Sequence, residues 1–292
     1  MPWLQAHLEV DKSQAPLIEL LFEQMGALSI TLVDARDEPM LEPPPGTTPL
    51  WNQTRVTALF EGDTNADDLR ARIDQTLVSD NSRELQLDVL EDQAWERAWL
   101  DHFQPMQFGR HLWICPTGKQ VSASGATIIQ LDPGLAFGTG THPTTDLCLQ
   151  WLDSAKIQDQ TVIDFGCGSG ILAIAALKLG ATHAIAMDHD PQALIATTNN
   201  ARQNGVADRL ETCTPDTFDP EPADVVLANI LANVLIELAE QIKPLVKPGG
   251  RLVLSGILAH QAEDVMRAYT PRISFLPPTR LEDWVRLDGV RK

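Results

Sequence analysis

Hydrophobic and polar positions alternate along the first 90 residues with two different periods. Apolar residues at every second position are typical of a half-buried strand, whereas apolar residues three or four positions apart are typical of a helix. Strands are predicted at residues 5–10, 29–34, 55–61 and 85–89. Helices are predicted by two apolar series, Leu17, Leu20, Leu21 and Met25, and Leu69, Ile73 and Leu77. This chain order predicts a small α+β, ferredoxin-like domain with both helices on one face of the sheet.

An aromatic stripe follows this first domain. Trp95, Trp99 and Phe103 lie four positions apart, which predicts a helix that packs against one or both domains. A proline-rich stretch at 39–49 is expected to be a loop. The sequence therefore indicates a first domain at 1–92, a helical linker at 93–112 and a second domain at 113–292.

The second domain has a different hydrophobic pattern, which predicts short apolar strands that alternate with helices. Strands are predicted at 161–165, 184–188, 225–229 and 251–255, and helices at 171–179, 191–204 and 230–242. This alternation predicts a mainly parallel sheet covered on both faces. A turn is expected at 248–250. Segments 273–276 and 284–287 have no helix between them and are expected to form an antiparallel hairpin at one edge.

The strongest chemical signal is V-I-D-F-G-C-G-S-G at residues 162–170, where a strand runs into a glycine-rich turn and then a helix. Glycines let a ligand approach the backbone closely and leave N–H groups free to bind it. A dinucleotide fingerprint would need a small residue where Ile171 stands, and a P-loop would need a Lys-Ser/Thr pair. The loop therefore does not indicate NAD or a bound pyrophosphate.

An acidic residue, Asp188, ends the next strand, 22 positions after Gly166. A carboxylate at this place can accept hydrogen bonds from both ribose hydroxyls of a nucleoside. The alternative is a helix-capping role, but Asp190 suits that role better because it directly precedes Pro191. Loop and carboxylate together predict an adenosine site without a diphosphate.

The motif D-F-G-C-G-S-G, followed by an acidic strand end, resembles a class I S-adenosylmethionine-dependent methyltransferase. Three further segments narrow the resemblance: D-P-G-L-A-F-G-T-G-T-H-P-T-T at 132–145, N-I-L-A-N-V-L at 229–235 and F-x-P-M-x-F-G at 103–109. Together they resemble the ribosomal protein L-eleven methyltransferase family, PrmA, over essentially the whole chain. The resemblance implies a Rossmann-like seven-stranded class I methyltransferase domain preceded by a ferredoxin-like substrate-recognition domain.

The resemblance also implies an activity, the transfer of methyl groups from S-adenosylmethionine to the α-amine and lysine ε-amines of a large-subunit ribosomal protein. The cofactor-binding positions that it implies are Thr145, Gly166, Gly168, Asp188 and Asn229. The alternative is a nucleic-acid or small-molecule methyltransferase that uses the same cofactor. Related enzymes that methylate base amines carry Pro-Pro-aromatic after this asparagine. Here Ile-Leu-Ala follows, which favours an aliphatic amine.

Two further residues are candidates for the substrate channel. Segment 134–145 is glycine-rich and is expected to form a lid, in which Phe137 lines the amine channel or packs in the core. His142 either relays a proton or caps the helix that starts at Pro143, and Asn229 either orients a ligand or caps the next helix. No residue is assigned as a general base, because desolvation and the sulfonium charge both lower the pKa of a lysine amine.

Charge is distributed unevenly along the chain. The net charge is −18, and residues 1–100 contribute −12 of it, from 19 acidic and 7 basic side chains. Such a field attracts a basic protein, whereas binding to a nucleic-acid duplex needs a basic stripe that displaces counterions. We therefore expect a basic protein partner and no direct nucleic-acid binding; the alternative is that the acidity serves only solubility.

Composition and cysteine spacing limit the remaining possibilities. The 292 residues are 43% hydrophobic and 21% charged, which is typical of a soluble globular protein with about two domains. The sequence shows neither a signal-peptide pattern nor an apolar run of about 18 residues, so a cytoplasmic protein without membrane association is expected. The four cysteines, Cys115, Cys148, Cys167 and Cys213, are widely spaced and are expected to be free thiols rather than metal ligands.

Overall fold

The computed structural model describes residues 2–38, 48–76, 85–90, 104–132 and 140–292. The chain divides into two compact units, Met1–Trp95 and Glu96–Lys292. Phe137, the aromatic stripe at 95–103 and most of the loop expected at 39–49 lie outside the described residues. Within the described ranges, no helix is both long enough and apolar enough to cross a bilayer.

The first unit is built on one antiparallel sheet. Its strands are β1 (Trp3–Asp11), β2 (Ser29–Asp34), β3 (Gln53–Glu61) and β4 (Gln86–Leu90), in the spatial order β2-β3-β1-β4. Helix α1 (Ala15–Gln24) connects β1 to β2, and α2 (Ala66–Thr76) follows β3. This topology is that of a ferredoxin-like domain, as the sequence predicted.

Both helices of this unit cover the same face of the sheet. The apolar residues of β1 and β3 alternate inward and form one buried core with residues of the two helices: Leu4, Ala6, Leu8, Val10, Val56, Ala58, Phe60, Ile18, Phe22, Leu69 and Ile73. The rings of Phe22 and Phe60 meet edge to face with centroids 6.1 Å apart. The period-two prediction for β1 and β3 is therefore confirmed.

Two details of the first unit differ from the prediction. The buried face of α1 is formed by Ile18, Leu21 and Phe22, while Leu17 and Leu20 are 60% and 50% exposed. The sequence contains two overlapping apolar stripes, and the larger Phe22 ring packs inward. Val89 is 66% exposed because β4 is an edge strand that pairs only with β1.

The first described strands of the second unit form a small sheet. Strands β5 (Met106–Phe108), β6 (Leu112–Cys115) and β7 (Thr127–Gln130) lie in that order, antiparallel between β5 and β6 and parallel between β6 and β7. The helical linker predicted at 93–112 is therefore wrong for residues 104–112. Leu112 and Ile114 are buried in the core of this unit while Trp113 between them is not, which is the period-two pattern of a strand.

The main sheet of the second unit is the Rossmann-like sheet that the sequence predicted. Its strands are β8 (Thr161–Phe165), β9 (His183–Met187), β10 (Leu210–Cys213), β11 (Ala223–Asn229), β12 (Val246–Leu258), β13 (Ile273–Phe275), β14 (Thr279–Leu281) and β15 (Trp284–Arg291). Seven of them follow the order β10-β9-β8-β11-β12-β15-β13, and β14 pairs with β15. Strands β8 to β12 are parallel, and β15 is antiparallel to β12, β13 and β14. The two predicted strands near the C-terminus and their antiparallel direction are confirmed, but the predicted partners are wrong, because residues 273–275 pair with 289–291 and residues 284–286 pair with β14.

Helices cover both faces of this sheet. They are α3 (Pro143–Ser154), α4 (Ile171–Lys178), α5 (Pro191–Gln203), α6 (Ala232–Glu237), α7 (Ala239–Ile242) and α8 (Ala262–Tyr269). Val162 of β8 packs into one core and Ile163 into the other, which explains the uninterrupted apolar strands. The helix predicted at 230–242 begins only at Ala232 and is interrupted at Leu238. The turn predicted at 248–250 is a bulge within β12, where the pairing with β11 shifts register.

The turn between β5 and β6 is anchored to α3 by one carboxylate. Asp153 of α3 accepts hydrogen bonds from the backbone N–H groups of Arg110, His111 and Leu112, at 2.5, 3.0 and 2.9 Å. Gly109 has φ +66°, and a Cβ on it would lie within 3.0 Å of the Asp153 carboxylate. Glycine is therefore required here both for its backbone conformation and for space.

Replacing Gly109 by Ala is expected to lower the free energy of unfolding by about 2 to 4 kcal/mol, because the methyl group displaces Asp153 from three N–H donors. The matched control is Gly118→Ala, since Gly118 also has a positive φ but open space around it. The control substitution is expected to lower the free energy of unfolding by about 1 kcal/mol. Urea unfolding measures both variants, and equal costs would contradict the anchoring role of Asp153.

Candidate active site

Three parallel strands end at one edge of the main sheet and carry the predicted site residues there. Phe165 of β8 lies opposite Met187 of β9, and Asp164 lies opposite Leu227 of β11. Because the carboxyl ends of parallel strands meet at one edge, the loop at 166–170 lies beside the residues that follow β9 and beside the end of β11. Gly166, Gly168, Asp188 and Asn229 are thus brought to the same edge.

The glycine loop is tied to the end of β9. The N–H groups of Gly166 and Cys167 both donate to the carbonyl oxygen of Met187, at 2.8 and 3.0 Å. The N–H of Gly168 donates to Asp188 Oδ2 at 2.9 Å. The loop backbone and the Asp188 carboxylate are therefore in direct contact.

Asp188 is buried and is held from two sides. Besides the Gly168 contact, its Oδ1 accepts the N–H of Asp190 at 3.0 Å and lies 3.3 Å from His189 Nδ1. Asp190 caps α5 by accepting the N–H of Gln192 at 2.9 Å. The prediction that Asp190, and not Asp188, is the capping residue is confirmed.

Asn229 contacts a residue that is far away in the sequence. Its Nδ2 donates to Thr145 Oγ1 at 3.2 Å, and Thr145 is fully buried in the first turn of α3. Asn229 Oδ1 is buried and has no hydrogen-bond partner among the described residues. Leu231 is the N-cap residue of α6, which has no side-chain cap, so Asn229 does not cap that helix.

Ile230, the residue after Asn229, is enclosed by two glycines. A Cβ on Gly166 would lie within 3.0 Å of the Ile230 side chain, and a Cβ on Gly256 of β12 would lie within 3.0 Å of the Ile230 backbone. Only glycine fits at both positions without displacing Ile230. The close packing fixes the backbone next to Asn229.

His142 is the N-cap residue of α3. Its side chain accepts the N–H of Thr144, and its ring meets Trp284 edge to face with centroids 4.9 Å apart. Burial lowers the pKa of the His142 imidazole, against the opposing charge of Glu282. Of the two roles considered from the sequence, the capping role is confirmed and the proton relay stays a prediction, as does the channel role of Phe137.

Asp164 lies beneath the glycine loop and was not among the predicted site residues. It is fully buried; its Oδ2 accepts the N–H of Ala173 at 3.0 Å, and its Oδ1 has no partner among the described residues. Burial and, to a smaller extent, the charge of Asp188 raise the pKa of this carboxyl to about 7, against the hydrogen bond from Ala173. Its position in the motif, directly before Phe165 and the glycines, is a signal that sequence analysis can use.

Comparison with known proteins decides the family. The family model described as "Ribosomal protein L11 methyltransferase (PrmA)" matches residues 2–292. The chain belongs to this family. Curated ribosomal protein L11 methyltransferases from Azotobacter vinelandii and Methylococcus capsulatus are 52% and 50% identical to it. The first alignment covers 100% of both chains, and the second covers 99% of each.

A solved structure agrees with the PrmA assignment. The crystal structure of ribosomal protein L11 methylase from Lactobacillus delbrueckii subsp. bulgaricus aligns with a TM-score of 0.60 and 34% sequence identity. The alignment covers 65% of this chain and 100% of that one. The family prediction made from the motifs is confirmed. Membership of PrmA makes the chain a methyltransferase that depends on S-adenosylmethionine.

The burial of Asp164 predicts a pH dependence of stability. A carboxyl whose pKa is higher in the folded than in the unfolded protein favours folding below the unfolded value of 3.8, and this contribution is lost as the pH rises through about 7. Asp164→Asn lacks the titrating group. The free energy of unfolding of this variant, minus that of the unchanged protein, is expected to be larger at about pH 8 than at about pH 5. Urea unfolding at the two pH values measures the difference, and a constant difference would contradict the prediction.

Proposed function

We propose that this protein transfers methyl groups from S-adenosylmethionine to amines of ribosomal protein L11, at its N-terminal α-amine and at lysine side chains. The observation that carries the proposal is the match of the whole chain, at about half identity, to proteins named for this activity. The location is then the cytoplasm, where ribosomal proteins are made. Neither nucleic acid nor membrane is an expected partner.

The residues at the sheet edge fit the cofactor. Two buried acceptor atoms there, Asp164 Oδ1 and Asn229 Oδ1, have no partner among the described residues. Buried polar atoms are nearly always satisfied, so unsatisfied acceptors favour a ligand that brings hydrogen-bond donors and positive charge. S-adenosylmethionine has both, in its ammonium and sulfonium groups. When bound, it supplies a methyl group that is open to nucleophilic attack.

Each predicted residue takes a separate part in binding. The Asp188 carboxylate accepts the ribose hydroxyls, and the loop with Gly166 and Gly168 lies against the nucleoside. Thr145 and Asn229, which are hydrogen-bonded to each other, lie at the methionine end. Asn229 Oδ1 accepts from the cofactor there, and the main-chain carbonyl of Asn229 is the acceptor that orients the attacking amine. Orientation is the main requirement, because methyl transfer needs the nitrogen lone pair in line with the breaking bond.

An aliphatic amine suits the residues around Asn229. Ile230 and Leu231 follow it, and Leu231 is half exposed, so the two residues directly after Asn229 are aliphatic and provide no ring for a base to stack on. Phe137 and His142 are further candidates for the wall of this channel. Burial lowers the pKa of His142, which favours the neutral imidazole that accepts the N–H of Thr144.

The first unit is the proposed docking site for the basic substrate. Residues 1–100 carry a net charge of −12, and ribosomal proteins carry positive charge that pairs with RNA. An acidic surface raises the rate of encounter with such a protein more than it raises affinity at contact. Docking and chemistry are thereby assigned to different units of the chain.

Asp188→Ala is expected to weaken S-adenosylmethionine binding by about 1.5 to 3 kcal/mol, or about 10- to 150-fold in Kd, because charged hydrogen bonds to the ribose are lost. Asp190→Ala is the matched control. It removes the same charge two residues away, where the carboxylate caps α5, and is expected to change stability but not affinity. Titration calorimetry measures both variants. Equal affinities for Asp188→Ala and the unchanged protein would contradict the ribose assignment.

The activity itself is tested on purified ribosomal protein L11, with ribosomal RNA in a parallel reaction. With tritiated S-adenosylmethionine, label is expected in the protein and not in the RNA, and intact-mass measurement is expected to count the methyl groups added to the protein. The rate is expected to fall several-fold as ionic strength rises from about 0.05 M to about 0.5 M, because salt screens the acidic unit. Label in RNA alone would refute the proposed function, and a salt-independent rate would refute the docking role of the acidity.

A further inference from the structure

One face of α5 holds the glycine loop through side chains. Thr197 is fully buried, and its Oγ1 donates to the carbonyl oxygen of Gly168 at 3.0 Å. One turn along, Asn200 Nδ2 donates to the carbonyl oxygen of Ser169 at 2.9 Å. The side chain of Thr197 also occupies the space that a side chain on Gly170 would need. The loop is therefore packed against α5 at three successive residues.

The Thr197 hydroxyl is saturated in this position. Its single proton is directed to the Gly168 carbonyl, and Cys167 Sγ lies 3.4 Å from Thr197 Oγ1. Burial raises the pKa of the Cys167 thiol, so the thiol keeps its proton and donates it to Thr197 Oγ1. The orientation of the hydroxyl is thus set from both sides.

Gly168 is held at both of its flanking peptide groups. The N–H before its Cα donates to Asp188 Oδ2 at 2.9 Å, and the carbonyl after its Cα accepts from Thr197. Gly168 has φ +54° and no side chain of its own to restrict rotation. Two side chains from outside the loop therefore restrain its conformation, in addition to the bond within the loop from the Gly170 N–H to the Cys167 carbonyl. The Gly168 N–H orients Oδ2 of the Asp188 carboxylate, while Oδ1 accepts the Asp190 N–H.

We infer that Thr197 is a positioning residue for the cofactor, acting through the Gly168 backbone to hold the Asp188 carboxylate in the orientation that accepts the ribose hydroxyls. The inference rests on the ribose contact proposed for Asp188. Without the hydroxyl, the half-buried Gly168 carbonyl loses its donor, and the peptide group after Gly168 loses a restraint that the loop's own bond from the Gly170 N–H to the Cys167 carbonyl does not replace. The N–H that meets Asp188 then loses its fixed direction, and the carboxylate is less preorganised for its ligand.

The test compares two ligands, S-adenosylhomocysteine and its 2′-deoxyribose analogue, by titration calorimetry on the full-length protein. The unchanged protein is expected to bind the deoxy analogue about 10-fold more weakly or worse, because a hydrogen bond to a carboxylate is lost. Thr197→Val keeps the shape of the side chain and removes its hydroxyl. It is expected to weaken the binding of S-adenosylhomocysteine about 3- to 10-fold. It is also expected to reduce the ratio of the two dissociation constants to about 3 or less.

Two comparisons separate positioning from a general loss of structure. Thr197→Ser retains the hydroxyl and is expected to restore both affinity and discrimination, whereas Thr197→Ala is expected to behave like Thr197→Val. The Ser and Ala pair supplies the same comparison if the Val variant does not fold. Thr198→Val is the matched control, because the Thr198 hydroxyl donates to Leu194 within the same helix and does not contact the loop. It is expected to keep the discrimination of the unchanged protein.

The outcomes distinguish this inference from the assignment on which it rests. If the unchanged protein discriminates between the ligands and Thr197→Val retains the full ratio, the positioning role is overturned and the ribose assignment stands. If Thr197→Val loses affinity for both ligands equally, the positioning role is likewise overturned and the ribose assignment stands. If the unchanged protein binds both ligands equally well, the ribose contact of Asp188 is refuted, and the role of Thr197 with it.

Discussion

Parallel pairing of β8 with β9 and β11 is the constraint on which the site depends. The register that places Phe165 opposite Met187 and Asp164 opposite Leu227 brings three strand ends to one edge. Apolar packing on both faces stabilises that register, because alternate residues of β8 enter the two cores. Residues far apart in the sequence, such as Thr145 and Asn229, meet as a consequence of this packing. The polar site is thus positioned by interactions in which it takes no part.

Buried carboxylates in the second unit fall into two groups. Asp153 accepts three backbone N–H groups, and Asp288 accepts Arg251 and the indole N–H of Trp151, so both are satisfied within the protein. Asp164, in contrast, has one oxygen without a partner among the described residues, and its pKa is raised to about 7. Satisfied carboxylates stabilise the fold, whereas an unsatisfied one lowers stability until a ligand supplies donors. This difference identifies Asp164 as a carboxylate that depends on a ligand, whereas Asp188 combines hydrogen bonds from the protein with its proposed ribose contact.

Much of the fold was predictable from the sequence, because apolar strands buried on both faces leave an uninterrupted pattern. The mainly parallel main sheet, the ferredoxin-like first unit and the capping role of Asp190 were all predicted from the sequence. The buried face of α1 was not, since two overlapping stripes compete and only packing against β3 favours Phe22. The role of Thr197 could not be predicted from the sequence either, because no periodic pattern shows that a helix residue contacts a loop residue 29 positions earlier.

A loop built from glycines needs this kind of support from outside. Glycines let a ligand approach the backbone, but they also have more conformational freedom than other residues, and a flexible loop must lose that freedom when it binds. The loop has few side chains of its own to restrict it, so the restraint comes from Met187 and Asp188 on one side and from Thr197 and Asn200 on the other. Cofactor affinity in such a site is therefore determined partly by residues that do not contact the cofactor. Here the helix that follows β9, α5, carries two of them.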